Sequence, residues 1–445
     1  MSLNAPSTPA KQDATLTGRP VNEPASPAYG PDMQREIYTD GLRGVKPELP
    51  TTYRDMDEMA RKKLPETAYN YLCGGAGQER TMAANTRAFE DIHLVPGMLK
   101  NVADRNQQIN LFGKTLPSPL LLAPIGVLSL AHPDADLAVA RAAASEEVPM
   151  IFSNQASFSM ESCAEQMGQA PRWFQLYWSK SRDLVKSLVQ RAEKVGCDAI
   201  VVTLDTTLLG WRNRDLDMGY LPFMQGKGIA QYTSDPVFKA LIKDQSLTAP
   251  EEQTKVNLNA VMNLGRMAQH YPAPFLEGLK SGEALAAVRL FTRIYSNPAL
   301  NWDDLAFLRE CTSLPILIKG IQSVQDARQA LDYGVDGLIV SNHGGRQVDG
   351  AIGSLHALNR IKKALGNRIP LLFDSGIRNG ADVVKALAVG ADAVCVGRPY
   401  ALALALKGEM GVRQLIRYYK AEIDLTMGLT GCRSIAELPN TLEDV

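Results

Sequence analysis

Short apolar runs alternate with longer helix-like stretches from about Ser118 to the C-terminus. The runs are continuously apolar, which is typical of strands covered on both faces in a parallel sheet. Each run ends in small or polar residues, where a loop would begin. The eight runs are Pro119–Gly126, Pro149–Asn154, Trp173–Tyr177, Ala199–Asp205, Pro315–Gly320, Gly337–Asn342, Pro370–Gly376 and Ala393–Pro399.

The stretches between the runs have helical periodicity and recognisable ends. Gly334 follows Val324–Tyr333, and Gly390 follows Ala381–Val389; glycine commonly terminates helices. Repeated strand and helix units predict an α/β fold, a (β/α)₈ TIM barrel, whose functional residues lie at the C-terminal ends of the strands. A doubly wound open sheet is the alternative, but no G-x-G-x-x-G motif follows the first strand.

Two segments depart from this repeat. Residues 1–35 are rich in Pro, Ser, Thr, Ala and Gly, which predicts a flexible N-terminal tail; a cleaved targeting segment is the alternative. A single domain is expected over residues 36–445, beginning with a helical segment before the barrel. After the fourth strand, a lid-like insertion is expected over about residues 213–313, with helical character at Pro236–Asp244 and Leu285–Tyr295.

Composition narrows the class of protein. A chain of 445 residues with 45% hydrophobic residues can bury a large core, and a net charge of −1 gives no basic surface for nucleic acid or an anionic membrane. Six cysteines occur without C-x-x-C pairs, so we expect buried free thiols and no metal site. No apolar run approaches the roughly 20 residues that cross a bilayer. These features predict a cytoplasmic protein.

The segment SNHGGRQVDG follows the sixth predicted strand and places a histidine close to an arginine. His343 can accept a proton near neutral pH, and Arg346 offers a planar guanidinium to a carboxylate. At the fourth strand, Asp205 and Arg212 supply a carboxylate that could orient His343 and a second guanidinium. A base beside a carboxylate site favours proton abstraction from a hydroxy acid.

The last two strands end in glycine and arginine, in FDSGIRNG and VGRP. Arg378 and Arg398, with backbone N–H groups and a helix N-terminus, are typical of a phosphate site at a barrel mouth. Lys319 ends the fifth strand, where it needs an anionic partner such as an electron-rich cofactor ring.

These motifs together identify a family. The sequence resembles the FMN-dependent L-2-hydroxy-acid oxidases and dehydrogenases from about Glu36 to the C-terminus, and further segments are most similar to its lactate 2-monooxygenase branch. The motifs that carry the family resemblance are SNHGGRQ (Ser341–Gln347), FQLY (Phe174–Tyr177), FDSGIR (Phe373–Arg378) and GRP (Gly397–Pro399). Those that carry the resemblance to the branch are EIYTDGLRGV (Glu36–Val45), LLAPIGV (Leu121–Val127), TLDTTLLGWRNRD (Thr203–Asp215) and TSDPVF (Thr233–Phe238).

The resemblance implies a role for each matching residue. His343 is the implied catalytic base, Asp205 its partner, and Tyr177 a contact of the substrate hydroxyl. The substrate carboxylate is assigned to Tyr71, Arg212 and Arg346. The implied FMN contacts are Pro124, Ile125 and Gly126 against the ring; Ser153, Gln175, Thr203 and Lys319 at its polar edge; Ser341 and Asp374 at its side chain; and Gly376, Arg378, Gly397 and Arg398 at its phosphate.

The implied reaction is FMN-dependent oxidation of a small L-2-hydroxy acid such as L-lactate by O₂, in a tetrameric or octameric homo-oligomer. Lactate 2-monooxygenase chemistry would yield acetate, CO₂ and water, whereas an oxidase would release the 2-keto acid and H₂O₂. Two features depart from that branch: a longer insertion, and Thr207–Leu208 in place of a bulky aromatic, which leaves room for a larger substrate. A flavin-free barrel enzyme acting on a phosphorylated metabolite and a non-catalytic scaffold are the remaining alternatives.

Overall fold

A closed barrel of eight parallel strands forms the centre of the protein. The computed structural model describes residues 28–244 and 257–443. A short antiparallel hairpin, β1 (Ile109–Leu111) and β2 (Lys114–Leu116), precedes the barrel. The barrel strands are β3 (Leu120–Leu122), β4 (Met150–Phe152), β5 (Arg172–Leu176), β6 (Ile200–Thr203), β7 (Ile316–Ile321), β8 (Gly337–Val340), β9 (Leu371–Phe373) and β10 (Ala393–Val396).

The strands pair in sequence order, and β10 closes the barrel against β3, with Val394 opposite Leu120. Each of the eight apolar runs overlaps one barrel strand; β5 begins one residue before its run and β7 ends one residue after its run. The side chains of the barrel strands are buried almost throughout, because alternate residues face the barrel interior and the surrounding helices. The TIM-barrel prediction is confirmed.

Helices surround the barrel. They are α1 (Tyr29–Leu42), α2 (Tyr53–Lys63), α3 (Glu66–Cys73), α4 (Arg80–Glu90), α5 (Ala135–Ser145), α6 (Met160–Met167), α7 (Arg182–Lys194), α8 (Asn213–Asp217), α9 (Ala230–Thr233), α10 (Pro236–Ile242), α11 (Leu258–His270), α12 (Phe275–Ser281), α13 (Glu283–Ile294), α14 (Asp304–Cys311), α15 (Val324–Asp332), α16 (Ser354–Leu365), α17 (Gly380–Val389) and α18 (Arg398–Thr430). Over the described ranges, no helix is both long and apolar enough to span a bilayer.

Local chemistry defines the ends of these helices. In α15 the Ser323 hydroxyl accepts a hydrogen bond from the Asp326 N–H, and in α17 the Asn379 side chain does the same for Asp382. The predicted terminators Gly334 and Gly390 adopt positive φ values of 66° and 121°. A β-carbon would be strained at both positions, which explains glycine there.

The barrel interior and the layer outside it form separate apolar clusters. The interior cluster includes Leu121, Leu317 and Leu372, and the β1–β2 hairpin extends it at the N-terminal end. Phe112 of the hairpin packs edge-on against Trp173, with 5.8 Å between ring centroids. This end is therefore filled by side chains, and the opposite end remains for chemistry.

The N-terminal prediction needs a correction. Helix α1 begins at Tyr29, so residues 29–35 are helical rather than part of a tail; residues 1–27 lie outside the described residues. Contacts with α18 explain the difference, because the Gly30 N–H donates to Asp424 at 2.9 Å and the Lys420 ammonium lies 5.6 Å from the Tyr29 ring centroid. Such distant partners are invisible in a local sequence window.

The predicted insertion is a set of helices between β6 and β7, α8 to α14 in the described residues. The two stretches with expected helical character correspond to α10 and α13. Ser296, just after α13, donates its hydroxyl hydrogen to the carbonyls of Thr206 and Thr207 in the loop that follows β6. The insertion thus contacts the C-terminal end of the barrel directly.

Candidate active site

A cavity opens at the C-terminal ends of the strands, with about 1240 Å³ of space not filled by atoms, part of it open to solvent. Most of the predicted site residues line it: Tyr71, Pro124, Ile125, Gly126, Gln175, Tyr177, Arg212, Lys319, His343, Arg346, Asp374, Gly376, Arg378, Gly397 and Arg398. The others are Ser153, Thr203, Asp205 and Ser341, each of which hydrogen-bonds to a lining residue from behind the wall. The structure therefore brings the whole predicted set together.

His343 and Asp205 form a close pair at this end of the barrel. Nδ1 of His343 lies 2.6 Å from Oδ1 of Asp205, and the Thr206 hydroxyl donates to the same oxygen at 2.9 Å. His343 has a φ of 57°, a left-handed conformation that is unusual outside glycine and recurs at functional sites. Because Nδ1–H is assigned to the carboxylate, Nε2 is the nitrogen free to accept a proton.

The environment sets the charges of this pair. Burial alone would raise the pKa of Asp205, but the charges of His343 and Lys319 and the hydrogen bonds from His343 and Thr206 lower it to about 2. Burial lowers the pKa of His343, against the opposing effect of Asp205. A neutral imidazole beside an ionised carboxylate therefore prevails near pH 7, which is the state that a general base requires.

Two guanidinium groups lie beside the base, that of the buried Arg212 and that of the half-buried Arg346. Nη1 of Arg346 donates to the carbonyls of Tyr71 (2.7 Å) and Gly74 (2.8 Å), while its guanidinium carbon lies 5.2 Å from the Tyr71 ring centroid. Nε of Arg212 donates to the Arg346 carbonyl at 3.2 Å. Burial and the neighbouring Arg212 lower the pKa of Arg346 to about 9. Two adjacent cations in a buried site favour an anionic ligand between them.

Lys319 is buried at the end of β7 with three polar neighbours. Its ammonium lies 2.9 Å from Asp374, 2.7 Å from the Ser341 hydroxyl and 3.9 Å from Asp205. Burial would lower the pKa of Lys319, but the carboxylates of Asp374 and Asp205 raise it above its ordinary value. The site therefore holds a fixed positive charge in its wall.

A hydrogen-bonded row of side chains runs from the end of β4 to β6, and its central member, Gln175, lines the cavity. The Ser153 hydroxyl donates to the Gln175 carbonyl at 3.3 Å, and the Gln175 amide donates to the Thr203 hydroxyl at 3.0 Å. Burial, and then the charge of Asp205, raise the pKa of Tyr177 to about 12. The Tyr177 hydroxyl thus stays protonated and can donate a hydrogen bond.

The loops after β9 and β10 form an arginine-rich corner. Nη1 and Nη2 of Arg398 donate to the carbonyls of Gly344 (2.8 Å) and Gly74 (2.9 Å), whereas its buried Nε has no hydrogen-bond partner in the described part of the chain. Burial and nearby Arg378 lower the pKa of Arg398. Gly376 has a φ of 99°, and a β-carbon there would lie 2.9 Å from the Asn85 carbonyl oxygen.

Several residues at the site were not predicted from the sequence. Thr206 and Gln347 hydrogen-bond to site residues, and the cavity wall also includes apolar and aromatic residues: Leu209, Leu221, Phe223, Phe291 and Tyr295. Most of this wall belongs to the insertion, where apolar residues look like ordinary core. The sequence had pointed only to Thr207 and Leu208, just before the insertion, as residues that affect the size of the substrate pocket, and Leu208 is 70% exposed. The position of Gln347 beside Arg346 was the one available signal.

Comparison with known proteins adds an independent observation. The model of the family described as FMN-dependent dehydrogenase matches this chain from residue 60 to residue 444. The chain belongs to this FMN-dependent dehydrogenase family. It is an FMN-dependent oxidoreductase that oxidises 2-hydroxy acids.

Named relatives cover nearly the same part of the chain. An L-lactate oxidase of Lysinibacillus sphaericus (strain C3-41) is 38% identical over 88% of this chain and 92% of its own length. The FMN-dependent alpha-hydroxy acid dehydrogenase qulF of Penicillium citrinum is 39% identical over 91% of this chain and 93% of its own length. The crystal structure of mandelate oxidase with (S)-4-hydroxymandelic acid has a TM-score of 0.72 and 35% identity, covering 88% of this chain and 98% of that one.

The side chains of this family member fit FMN. The unpartnered Nε of Arg398 and the cationic Arg378 suit a phosphate, since charge-assisted hydrogen bonds are the usual means of holding one. A β-carbon at Gly397 would find its nearest neighbour at 3.8 Å, so the backbone there is open to close approach. The Lys319 ammonium, which also lines the cavity, suits an electron-rich ring edge.

Proposed function

We propose that the protein oxidises a small L-2-hydroxy acid such as L-lactate with O₂, with His343 as the catalytic base. The observation that carries this proposal is the His343–Asp205 pair beside the cationic Arg346 and Arg212 in one cavity. His343 takes a proton from the substrate at Nε2, and Asp205 stabilises the imidazolium that forms.

The proposed substrate contacts follow from charge and hydrogen-bonding capacity. Arg346 and Arg212 hold the carboxylate, which relieves their mutual repulsion, and Tyr71 lies beside them. Tyr177 donates to the C2 oxygen, because its raised pKa keeps its hydroxyl protonated.

When bound, FMN would supply the two-electron acceptor chemistry, with O₂ as the final oxidant. Lys319 would hold the ring edge and stabilise negative charge there, together with the polar row of Gln175 and Thr203. The remaining proposed contacts are Pro124, Ile125, Gly126 and Ser153 for the ring, Ser341 and Asp374 for the cofactor side chain, and Gly376, Arg378, Gly397 and Arg398 for the phosphate.

For the outcome, we propose the lactate 2-monooxygenase reaction, in which lactate and O₂ give acetate, CO₂ and water. This reaction requires the first products to stay together, and the insertion walls of the cavity support such retention. The oxidase outcome, with release of a 2-keto acid and H₂O₂, is the second candidate. The names of the similar L-lactate oxidase and mandelate oxidase favour it.

A larger substrate is a specific variant of the second candidate. Phe223, Phe291 and Leu209 give the cavity an apolar wall, which suits a longer or aromatic C2 substituent. Phe223 also contacts Tyr71, with ring centroids 6.4 Å apart, so this wall lies next to the proposed carboxylate site. Burial of an additional methylene group there is worth about 0.8 kcal/mol.

Anaerobic mixing of the yellow FMN-loaded protein with L-lactate, then with O₂, tests the proposal. Bleaching followed by acetate supports the monooxygenase reaction, and bleaching with free H₂O₂ and pyruvate supports the oxidase. Mandelate and 2-hydroxyoctanoate are compared under the same conditions, and faster bleaching by either supports the larger substrate. Absence of bleaching by every L-2-hydroxy acid would contradict the proposed function.

We also propose a homo-oligomer, tetrameric or octameric, in the cytoplasm. The proposal follows from the family resemblance, and exposed apolar side chains on α1 and α18, namely Tyr38, Leu42 and Met410, are available for such an interface. Light scattering coupled to size-exclusion chromatography tests the stoichiometry, and a monomer at micromolar concentration would contradict the proposal.

A further inference from the structure

Two loops supply the four residues at the centre of the proposed chemistry. The loop after β6 carries Asp205 and Arg212, and the loop after β8 carries His343 and Arg346. The base pair, His343 with Asp205, takes one residue from each loop. The carboxylate clamp, Arg346 with Arg212, does the same. The relative position of the two loops therefore sets both geometries at once.

One side chain joins the loops at three points. Nε2 of Gln347 donates to the carbonyl of Asp205 at 2.8 Å and to the carbonyl of Leu208 at 2.8 Å. Oε1 of Gln347 accepts a hydrogen bond from Nη2 of Arg212 at 2.9 Å. The amide nitrogen of Gln347 thus holds the backbone at Asp205, and its amide oxygen holds the side chain of Arg212.

The fit around this amide leaves little freedom. A β-carbon at Gly210 would lie 2.5 Å from the Arg346 carbonyl oxygen and 2.8 Å from Cα of Gln347, so the two loops are already in close backbone contact. Both amide hydrogens and the amide oxygen of Gln347 are used. A glutamate would keep the acceptor but lose both donors, and a methionine of similar length would lose all three.

We propose that Gln347 is a positioning residue that fixes the base pair and the carboxylate clamp in a single geometry. Gln347 is not among the residues that line the cavity, so we expect it to act on the substrate only through Asp205 and Arg212. This inference rests on the proposed function, which gives those two residues their roles. A displacement of about 1 Å at such a site can cost about 100-fold in rate.

The test compares Gln347→Met with Gln78→Met, which makes the same change at an exposed glutamine on a neighbouring segment. In Gln347→Met we expect anaerobic flavin reduction at saturating substrate to slow by at least about 10-fold, and oxalate, a non-reactive carboxylate, to bind about 10-fold more weakly. FMN affinity is expected to match the control. Gln347→Glu is the second variant, with the same expected slowing of reduction.

A double-mutant cycle separates positioning from a general structural effect. If Gln347 acts through Asp205, its loss should slow reduction much less in Asp205→Asn than in the wild type, with a coupling of about 5-fold or more. The inference would be overturned if the slowing factors of Gln347→Met and Asp205→Asn simply multiplied in the double variant. It would also be overturned if flavin reduction in Gln347→Met were within about 2-fold of the control rate. Unchanged reduction in Asp205→Asn alone would overturn the proposed function and, with it, the inference.

Discussion

Replacement of Asp205 by asparagine removes the charge beside the proposed base while keeping the shape of the side chain. The carboxylate is 6% exposed, and its Oδ1 lies 2.6 Å from Nδ1 of His343. Asparagine can still present its carbonyl oxygen to Nδ1–H, so the ring keeps its orientation. What is lost is the stabilisation of the imidazolium that forms when His343 accepts the substrate proton.

The size of this loss follows from two bounds. A hydrogen bond to a charged group contributes about 2 kcal/mol, and two unit charges about 4 Å apart interact by about 4 kcal/mol at an effective dielectric constant of 20. Flavin reduction should therefore slow by roughly 30-fold to 1000-fold. The concentration of substrate that gives half-maximal reduction should change little, because within the described residues the Asp205 carboxylate forms its hydrogen bonds and ion pairs with His343, Thr206 and Lys319 and not with the proposed clamp side chains.

Stopped-flow absorbance of the flavin under anaerobic conditions measures both quantities. Asp217→Asn is the matched control, since Asp217 is exposed on α8 and undergoes the same chemical change. Reduction in Asp205→Asn within about 3-fold of the control would refute the electrostatic argument. A large increase in the half-saturating concentration at an unchanged maximal rate would refute the assignment of Asp205 to the base rather than to substrate binding.

Three further predictions concern the base, the phosphate corner and the backbone. Because burial lowers the pKa of His343 below its ordinary value of 6.5, the acid limb of kcat/KM should be centred on the acid side of that pH, and an acid limb centred above pH 7 would contradict this assignment. Arg398→Gln should weaken FMN binding by about 10-fold to 100-fold in a fluorescence titration of the apoprotein, and unchanged affinity would remove Arg398 from the phosphate site. Gly376→Ala should lower the free energy of unfolding by about 1–3 kcal/mol in chemical denaturation, because of the positive φ and the contact with Asn85; wild-type stability would show that the loop relaxes freely.

The barrel was predictable because its signal is local. Each strand needs apolar residues on both faces, and a continuous run such as Ala199–Asp205 records that requirement in adjacent positions. The end of a run also marks where a loop begins at the catalytic end, so His343 and Lys319 could be located before any contact was known.

The features that the local sequence could not predict depend on contacts between distant parts of the chain. Tyr71 precedes the barrel and was recognised through family resemblance alone, since its proximity to Arg346 arises from tertiary packing. Phe223 and Phe291 carry no chemical group that distinguishes a cavity wall from a core, although their rings lie 5.2 Å apart beside the site. The start of α1 at Tyr29 was missed for the same reason, because its partners lie in α18.

The separation between the barrel loops and the insertion has a consequence for the adaptability of this enzyme. The proposed base, clamp and cofactor residues belong to the barrel strands and the segments that directly follow them, apart from Tyr71, whereas Phe223, Phe291 and Tyr295 all lie in the insertion that follows Arg212. Substitutions within the insertion can reshape the space around the substrate without altering the acid–base apparatus. Laboratory evolution of the substrate range of this enzyme should therefore begin with a library of substitutions confined to the insertion.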